Sequence, residues 1–548
     1  MTSKKYMTGS LDLTKHDSGT GAHRSRKPVY MDFLPPCNHA CPAGEDIQAW
    51  LALAQAGEYE AAWQKLIEDN PFPAIHGRVC YHPCETSCNR AHTDQEVSIH
   101  AVERFLGDLA MEKGWEPEFE PHPGGKHVLI VGAGPSGLSA AYHLIRLGHT
   151  VEIREAGPVA GGMIHFGIPA YRMPRDELNR EIQRVVDMGV KITLNHRVED
   201  VELEKSEGGF DAVFIAVGAH LSKNIDIPNR DARKMLDAVS FLKSVENGEE
   251  LHLGRRVAIY GGGNTAMDAA RTAKRLGSDA VIIYRRDRES MPAHDFEAEE
   301  ALEEGVKINW LRTIKDIDNT TMTVEVMELD ENGRPQPTGE TETLETDALI
   351  MAVGQDTDTE FLKQVEGIEF NWDKTVNVGP NMMTGAEGIF AGGDMVPSER
   401  SVTIATGHGK KAARYINGWL RGESYKPAAK HPIVEHDKLH LWYSTEAPKK
   451  TQGELTPDER LGGFEEILQG YSEKEALFEA KRCLSCGNCF ECDGCYGSCP
   501  EDAIIKLGKG KRYLYDYDKC TGCASCFEQC PCHAIEMVNE KTDSAVQE

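Results

Sequence analysis

Sixteen cysteines stand in two blocks, Cys37 to Cys88 and Cys483 to Cys532, and none lies between them. In the second block, Cys489, Cys492, Cys495 and Cys499 precede Pro500 with the spacing C-x2-C-x2-C-x3-C-P, and Cys520, Cys523, Cys526 and Cys530 precede Pro531 in the same way. Such runs hold 4Fe-4S clusters, and where two occur together the fourth cysteine of each ligates the other cluster. One cluster is therefore expected on Cys489, Cys492, Cys495 and Cys530, and a second on Cys520, Cys523, Cys526 and Cys499. Structural zinc, the competing chemistry, usually takes separated cysteine pairs. The cysteine-free middle excludes a redox disulfide beside a central flavin, because no pair is there to form it.

Two glycine turns could bind dinucleotides. Gly132-Ala133-Gly134-Pro135-Ser136-Gly137 follows the strand-like HVLIV and precedes the helix-like LSAAYHLIRLG, and the next strand-like run ends at Glu155. The glycines let a pyrophosphate approach a helix N-terminus, and an acid after the second strand accepts hydrogen bonds from a ribose diol, which suits FAD. The second turn, in VAIYGGGNTAMDAARTAKRLG, puts Gly261, Gly263 and Ala266 at the GxGxxA positions, followed by Asn264 and Thr265 in the turn itself. Its next strand ends in Arg285 and Arg286 instead of an acid, which favours the 2'-phosphate of NADP over NAD, the alternative being a solvated turn. Hydride transfer between nicotinamide and flavin mainly needs two rings held together away from water, so no acid or base is assigned beyond the cofactors.

These residues need elements to position them. Strand and helix patterns alternate with glycine turns from HVLIVGAGPSG onward, as parallel α/β domains require. Residues 44–115 instead carry apolar residues at helical spacing, and the proline-bearing stretch 427–470 reads as a connector. At 548 residues the chain is too long for one core. The expected fold is multidomain: a flexible arm over 1–30, an α-helical iron-sulfur domain over 31–123, and a Rossmann-like FAD domain over 124–250 and 376–426. A Rossmann-like NAD(P)H domain over 251–375 is inserted in it, and a connector over 427–482 leads to an α+β ferredoxin-like domain over 483–540. The arm is basic, with six Lys or Arg against Asp12 and Asp17, and reads as a disordered tail or a docking arm. The whole chain carries a formal charge of −28, which opposes binding to nucleic acid or anionic lipid. Neither a membrane-spanning run nor an apolar leader is visible, and a cytoplasmic setting with reduced thiols is expected.

The N-terminal block, CNHACPAGEDI with GRVCYHPCETSC, together with GGMIHFGIPAYRMP, GGGNTAMDAARTA and YRRDRESMPA, resembles the glutamate synthase small-subunit family. That family includes the large subunit of NADPH:ferredoxin transhydrogenase and the N-terminal half of dihydropyrimidine dehydrogenase, and the resemblance covers roughly residues 31–425. It implies FAD, NAD(P)H and two N-terminal 4Fe-4S clusters. It also implies that Asp394, after Gly393 in GIFAGGDM, meets the ribityl chain or a phosphate, and that Gly162 lies in the flavin site. One cluster is implied on Cys41, Cys80 and Cys84, with Glu103 of AVERF at the position of a Glu or Gln ligand; a solvated helix face is the rival reading of Glu103.

The chain departs from that pattern at the second N-terminal cluster. The family's E-A-x-R-C-x-x-C-G is missing near the N-terminus, where VYMDFLPP stands, but EAKRCLSCG occurs at 479–487. Cys37, Cys88, Cys483 and Cys486 are then expected to share a cluster, within one chain or between protomers; unligated thiols or a separate site for the last two are the alternatives. Four clusters need sixteen ligands, which fifteen cysteines and Glu103 supply, leaving Cys532 as a small buried residue. The histidines nearby, His39, His76, His82, His92 and His100, need no metal role. The implied activity is electron transfer between NAD(P)H and a ferredoxin or a catalytic redox subunit, such as a 2-oxoacid oxidoreductase, a sulfite reductase or a ring reductase. A glutamate synthase-type amidotransfer component and a non-catalytic scaffold are the alternatives, and the oligomeric state is open.

Overall fold

The computed structural model describes residues 24–540 apart from 121–122, 224, 226, 228, 231–234, 319 and 443. The helical region is built from Ile47–Gln55, Tyr59–Ile67, Pro73–Val79 and Ile99–Lys113. Ile47, Trp50, Leu51 and Ala54 share one buried helix face, as apolar residues three and four apart must. Helices Pro73–Val79 and Ile99–Lys113 cross closely because of Gly107, where a Cβ would stand 2.4 Å from the Ala74 amide nitrogen. That crossing turns Glu103 inward.

Two parallel five-stranded sheets follow. The first has the order Ile389–Ala391, Ala212–Ile215, His127–Val131, Thr150–Arg154, Lys191–Thr193. Its strand Ala212–Ile215 is buried at every position, a continuous apolar run suited to a sheet covered on both faces. The second sheet, ordered Lys307–Trp310, Asp279–Tyr284, Arg256–Tyr260, Ala348–Met351, Met235–Asp237, lies in the chain between two strands of the first. A further sheet, in which Arg312–Asp318, Thr321–Leu329 and Pro335–Glu345 pair antiparallel, extends from it. No helix among the described residues is long and apolar enough to cross a membrane.

One expectation, that of a flexible arm over 1–30, changes in part. Part of the presumed arm is ordered, since Arg26–Tyr30 pairs antiparallel with Ile535–Asn539. Arg24 adds to the join, donating to the Tyr517 and Cys520 carbonyls at 2.6 and 2.9 Å and pairing with Glu540. Residues 1–23 lie outside the described residues. Pro28 lacks an amide hydrogen and fits only an edge strand, which is what this strand is. The connector packs on the helical region. Glu466 pairs with Arg78 and Arg104 of the helical region, and helix Glu473–Lys481, started by a Ser472/Glu475 capping box, packs on Ile47–Gln55 and Ile99–Lys113. After it come the hairpin Ile504–Lys506/Tyr513–Tyr515 and the short helices Gly494–Ser498 and Ser525–Glu528.

Candidate nucleotide cavity and thiol centres

The first glycine turn and the start of the helix that follows the second open onto one cavity of about 580 Å³, at the C-terminal ends of the parallel strands where open α/β sheets bind ligands. Helix Pro135–Arg146 starts at Gly134 with no side-chain cap, so its first amides are free to meet an anion. Gly132 has φ +105°, and a Cβ there would sit 2.5 Å from the Ala216 carbonyl oxygen. At Gly162 a Cβ would stand 2.9 Å from the Gly134 Cα, so the two loops touch as bare backbone and form a cradle. Ser136 Oγ is buried there without a partner, and the Glu155 carboxylate is oriented by the amides of Ala133 (2.7 Å) and Gly157 (2.6 Å). Burial pushes the Asp394 carboxyl up to about 6. A cradle that admits no Cβ, an unpaired buried hydroxyl and two carboxylates at the rim fit the pyrophosphate and hydroxyls of a dinucleotide.

Gly132, Gly134, Pro135, Ser136, Glu155, Gly162, Gly393, Asp394, Asn264 and Thr265 all line this cavity. The remaining proposed nucleotide residues do not form its wall. Gly137 serves packing, since a Cβ there would lie 2.0 Å from the Gly132 carbonyl oxygen, and Gly261 likewise stands 2.1 Å from that of Ala352. Gly263 faces open space, Arg285 is exposed, and Arg286 keeps a buried Nε without a partner. Tyr81, Arg172, Lys243 and Arg400 also line the cavity, and none was singled out as a site residue from the sequence. Arg172 also ties the two sheet units together, pairing with Asp268 (2.9 Å) and Glu297 (2.6 Å). It stood inside GIPAYRMP, the one signal that could have found it.

The cysteines gather in sets. Cys37, Cys88, Cys483 and Cys486 surround one small cavity within a single chain. Cys483 and Cys486 are each pushed up to about 12, first by burial and then by the neighbouring thiols. Cys41, Cys80 and Cys84 are electrostatic neighbours of one another, each raised by burial, and Cys41 and Cys80 also feel Glu103. Glu103 is only 6% exposed, against the solvated-face reading. Burial and the facing Glu45 hold its carboxyl well above the usual range, while Asn70 Nδ2 donates to Glu103 (2.7 Å) and to Glu45 (3.0 Å). Two short helices serve both sets: Pro36–Ala40 carries Cys37 and is followed by Cys41, and Pro83–Thr86 carries Cys84 and is followed two residues on by Cys88. Four residues of helix rise by about 6 Å, so the sets are adjacent.

Near the C-terminus, Cys499, Cys520, Cys523 and Cys526 surround one cavity with Pro28 and Tyr515. Cys530 is the electrostatic neighbour of Cys489, Cys492 and Cys495, so the fourth cysteine of each run does lie with the other three. Cys532 is buried, as its leftover status implied, but its Sγ is 3.8 Å from that of Cys530. The described cysteines form no disulfide. Buried thiols that raise one another's pKa are unfavourable as a set of thiolates unless a cationic centre joins them, and thiolate-bound iron supplies that charge. Among the histidines, His100 Nδ1 meets Glu85 at 2.7 Å and His76 Nε2 meets Thr406 at 3.0 Å; His82, Glu85 and His100 bring ligand atoms within 4.8 Å of one another.

Residues 116–409 match the pyridine nucleotide-disulphide oxidoreductase family, residues 17–115 match dihydropyrimidine dehydrogenase domain II with its 4Fe-4S cluster, and residues 513–536 match a 4Fe-4S binding domain. The NADP(+)-dependent formate dehydrogenase subunit beta of Moorella thermoacetica is 35% identical over 534 residues, covering 86% of this chain and 74% of that one. The NADPH-Fe(3+) oxidoreductase subunit beta of Geobacter sulfurreducens is 33% identical, covering 84% and 77%. The glutamate synthase [NADPH] small chain of Escherichia coli is 33% identical, covering 70% and 89%. A match spanning more than half the chain, with relatives of this identity and coverage, leads to one conclusion: the chain belongs to the pyridine nucleotide-disulphide oxidoreductase family, as an oxidoreductase with 4Fe-4S binding domains on both sides of its nucleotide-binding core.

Proposed function

We propose that this chain is the electron-transfer subunit of a redox complex, passing electrons between NADPH and a ferredoxin or a partner catalytic subunit. The observation that carries this reading is the shared cavity: its wall contains the first glycine turn, Asn264 and Thr265 at the start of the helix after the second, and also Val79 and Tyr81, which flank Cys80. The thiol set that contains Cys80 therefore borders the nucleotide site. FAD and the 4Fe-4S clusters supply the chemistry when bound, a two-electron exchange with nicotinamide and single-electron exchange with iron. The first sheet unit, over 124–250 and 376–426, is read as the FAD domain, with Gly132, Gly134, Pro135, Ser136, Glu155, Gly162, Gly393 and Asp394 as its contacts. The inserted unit, over 251–375, is read as the NADPH domain, with Asn264 and Thr265 at its helix N-terminus and Arg285 and Arg286 toward a 2'-phosphate.

The chain's own part is positioning and exclusion of water. Helix Val402–Leu420 starts at the cavity edge and rests on helix Pro135–Arg146, with Gly409 allowing that approach. Its Lys410 donates to the carbonyls of Ala43 (2.7 Å) and Gly44 (2.8 Å) and to Asp69 (2.8 Å), fastening this wall to the loop after Cys41. Four clusters are read on the thiol sets described, that on Cys37, Cys88, Cys483 and Cys486 standing between the helical region and the ferredoxin unit. Reduced thiols in such number suit a cytoplasmic setting. The test is anaerobic: the purified holoprotein is mixed with NADPH and an oxidised two-cluster ferredoxin, and ferredoxin bleaching is followed. Turnover supports the reading. Dye reduction without ferredoxin reduction, together with glutamine-dependent NADPH oxidation in the presence of a glutamate synthase large subunit, would replace it by the amidotransfer component, and no NADPH oxidation with any acceptor would leave only a scaffold.

A further inference from the structure

We propose that Tyr81 is a positioning residue that couples nucleotide occupancy at the Asn264 helix N-terminus to the iron ligand beside it in the chain, Cys80. The inference rests on the reading of Cys80 as a cluster ligand and goes beyond it. Asn264 opens helix Asn264–Arg275, whose N-terminus has no side-chain cap. Its side chain is engaged at both ends: Nδ2 donates to the Tyr81 hydroxyl at 2.6 Å, and Oδ1 accepts from the His294 amide at 3.1 Å. The Tyr81 ring lies flat on the His294 imidazole, with centroids 3.7 Å apart and planes 19° from parallel. Three segments from three parts of the chain thus meet at one tyrosine.

On its other side Tyr81 has little freedom. Cys80 caps helix Pro73–Val79, its amide held by the His76 carbonyl at 3.0 Å, and the His82 amide donates back to the Cys80 sulfur at 3.4 Å. His82 itself sits at φ +51°, a left-handed conformation that a non-glycine residue keeps only when its surroundings hold it there. Tyr81 is therefore the middle of a tight turn wrapped around a sulfur, and any displacement of its ring is felt at Cys80. A dinucleotide anchored on the Asn264 amides and directed toward the first glycine turn must cross the cavity wall that Tyr81, Asn264 and Thr265 form together. Hydrogen bonds and backbone around a cluster sulfur are among the levers that set its potential. Binding coupling is reciprocal, so the nucleotide must then shift the cluster potential by the factor by which cluster reduction changes nucleotide affinity.

The probe is 2'-phospho-ADP-ribose, which carries the pyrophosphate but no nicotinamide and so cannot itself be reduced. The cluster of the anaerobic holoprotein is titrated by EPR with and without saturating probe, and the probe's Kd is measured on oxidised and dithionite-reduced protein. The expected coupling is at least about 5-fold in Kd, equivalent to about 40 mV at about 59 mV per tenfold for one electron. Tyr81→Phe keeps the ring stack and removes only the hydroxyl; it should retain iron and FAD yet bring the coupling below about 2-fold. His294→Ala, which frees the ring from its other face without altering the Cys80 turn, should do the same, and it serves if Tyr81→Phe loses iron. Full coupling in variants with intact iron and FAD overturns the role of Tyr81. If Cys80→Ala instead leaves the titrated signal unchanged, the ligand reading fails, a result distinct from the first.

Discussion

Removing both late cysteines of the mixed thiol set, Cys483→Ala with Cys486→Ala, takes two of four ligands from one site while leaving the other three sites complete. Loaded wild-type protein should carry about sixteen irons, four per cluster, and the double variant about twelve. The segment should stay docked, because its anchor is Arg482, not the sulfurs. That guanidinium donates to the Ala447, Glu96 and Gln95 carbonyls and to the Glu479 and Asp94 carboxylates, at 2.6 to 3.1 Å. Hydrogen bonds of a charged group contribute about 1.5–3 kcal/mol each, so even a fraction of five exceeds what is needed to hold a short segment. The assay is iron and sulfide analysis per FAD after anaerobic reconstitution, with size-exclusion and limited proteolysis to check docking. In the variant, NADPH should still reduce a dye, and ferredoxin reduction should fall by at least about tenfold. About twelve irons in both proteins, or about sixteen in both, would refute the shared site, and loss of eight or more would show that Cys483 and Cys486 support more than one centre.

Two further outcomes follow from the proposed nucleotide contacts. Arg285→Ala with Arg286→Ala should raise KM for NADPH by about 10- to 100-fold, the worth of charge-assisted hydrogen bonds of about 1.5–3 kcal/mol, while KM for NADH stays within about twofold; steady-state dye reduction with each nucleotide checks it, and an equal effect on both would assign the arginines elsewhere. Asp394, pushed up to about 6 by burial, binds its proton more tightly folded than unfolded. Folding of the flavin-free protein therefore gains from this group at low pH and loses that gain as pH rises from about 4 to about 6, by on the order of 3 kcal/mol. Urea midpoints of wild type and Asp394→Asn across pH 4–7 should diverge over that window, and parallel curves would show that the carboxyl is not held protonated.

Most of the chemistry was legible because it is local. A cysteine every third residue before proline, or a glycine turn between a strand and a helix, declares itself within a dozen positions. The union of Cys37 and Cys88 with Cys483 and Cys486 followed from counting ligands and from the displaced EAKRCLSCG, since no local pattern spans that distance. What escaped was carried by contacts between remote segments. Tyr81 stands in GRVCYHPCETSC, a block notable for its cysteines, and only the fold brings it to Asn264. The strand Arg26–Tyr30 begins with two basic residues and contains a proline, so it reads as arm; pairing with the last strand overrides that weak signal. Gly137 and Gly261 fit a phosphate fingerprint by spacing but serve close packing, Gly137 of its helix on the turn before it and Gly261 of the turn on the end of the neighbouring strand at Ala352, roles the same spacing includes.

The mixed thiol set also imposes an order on biogenesis. Cys88 leaves the ribosome 395 residues ahead of Cys483, a lag of roughly 20–80 s at about 5–20 residues per second. Cys41, Cys80, Cys84 and Glu103 are all present early, so that site can receive iron on a nascent chain. Cys37 and Cys88 are born with half a coordination sphere and must wait, reduced and unmetallated, for the far end to arrive. The first strand waits as well, for its partner Ile535–Asn539 is translated after Cys483 and Cys486. Completion of this centre therefore certifies that synthesis has passed Cys486: a chain cut short before Cys483 can build its nucleotide core and its first cluster, but never the junction through which the rest is connected.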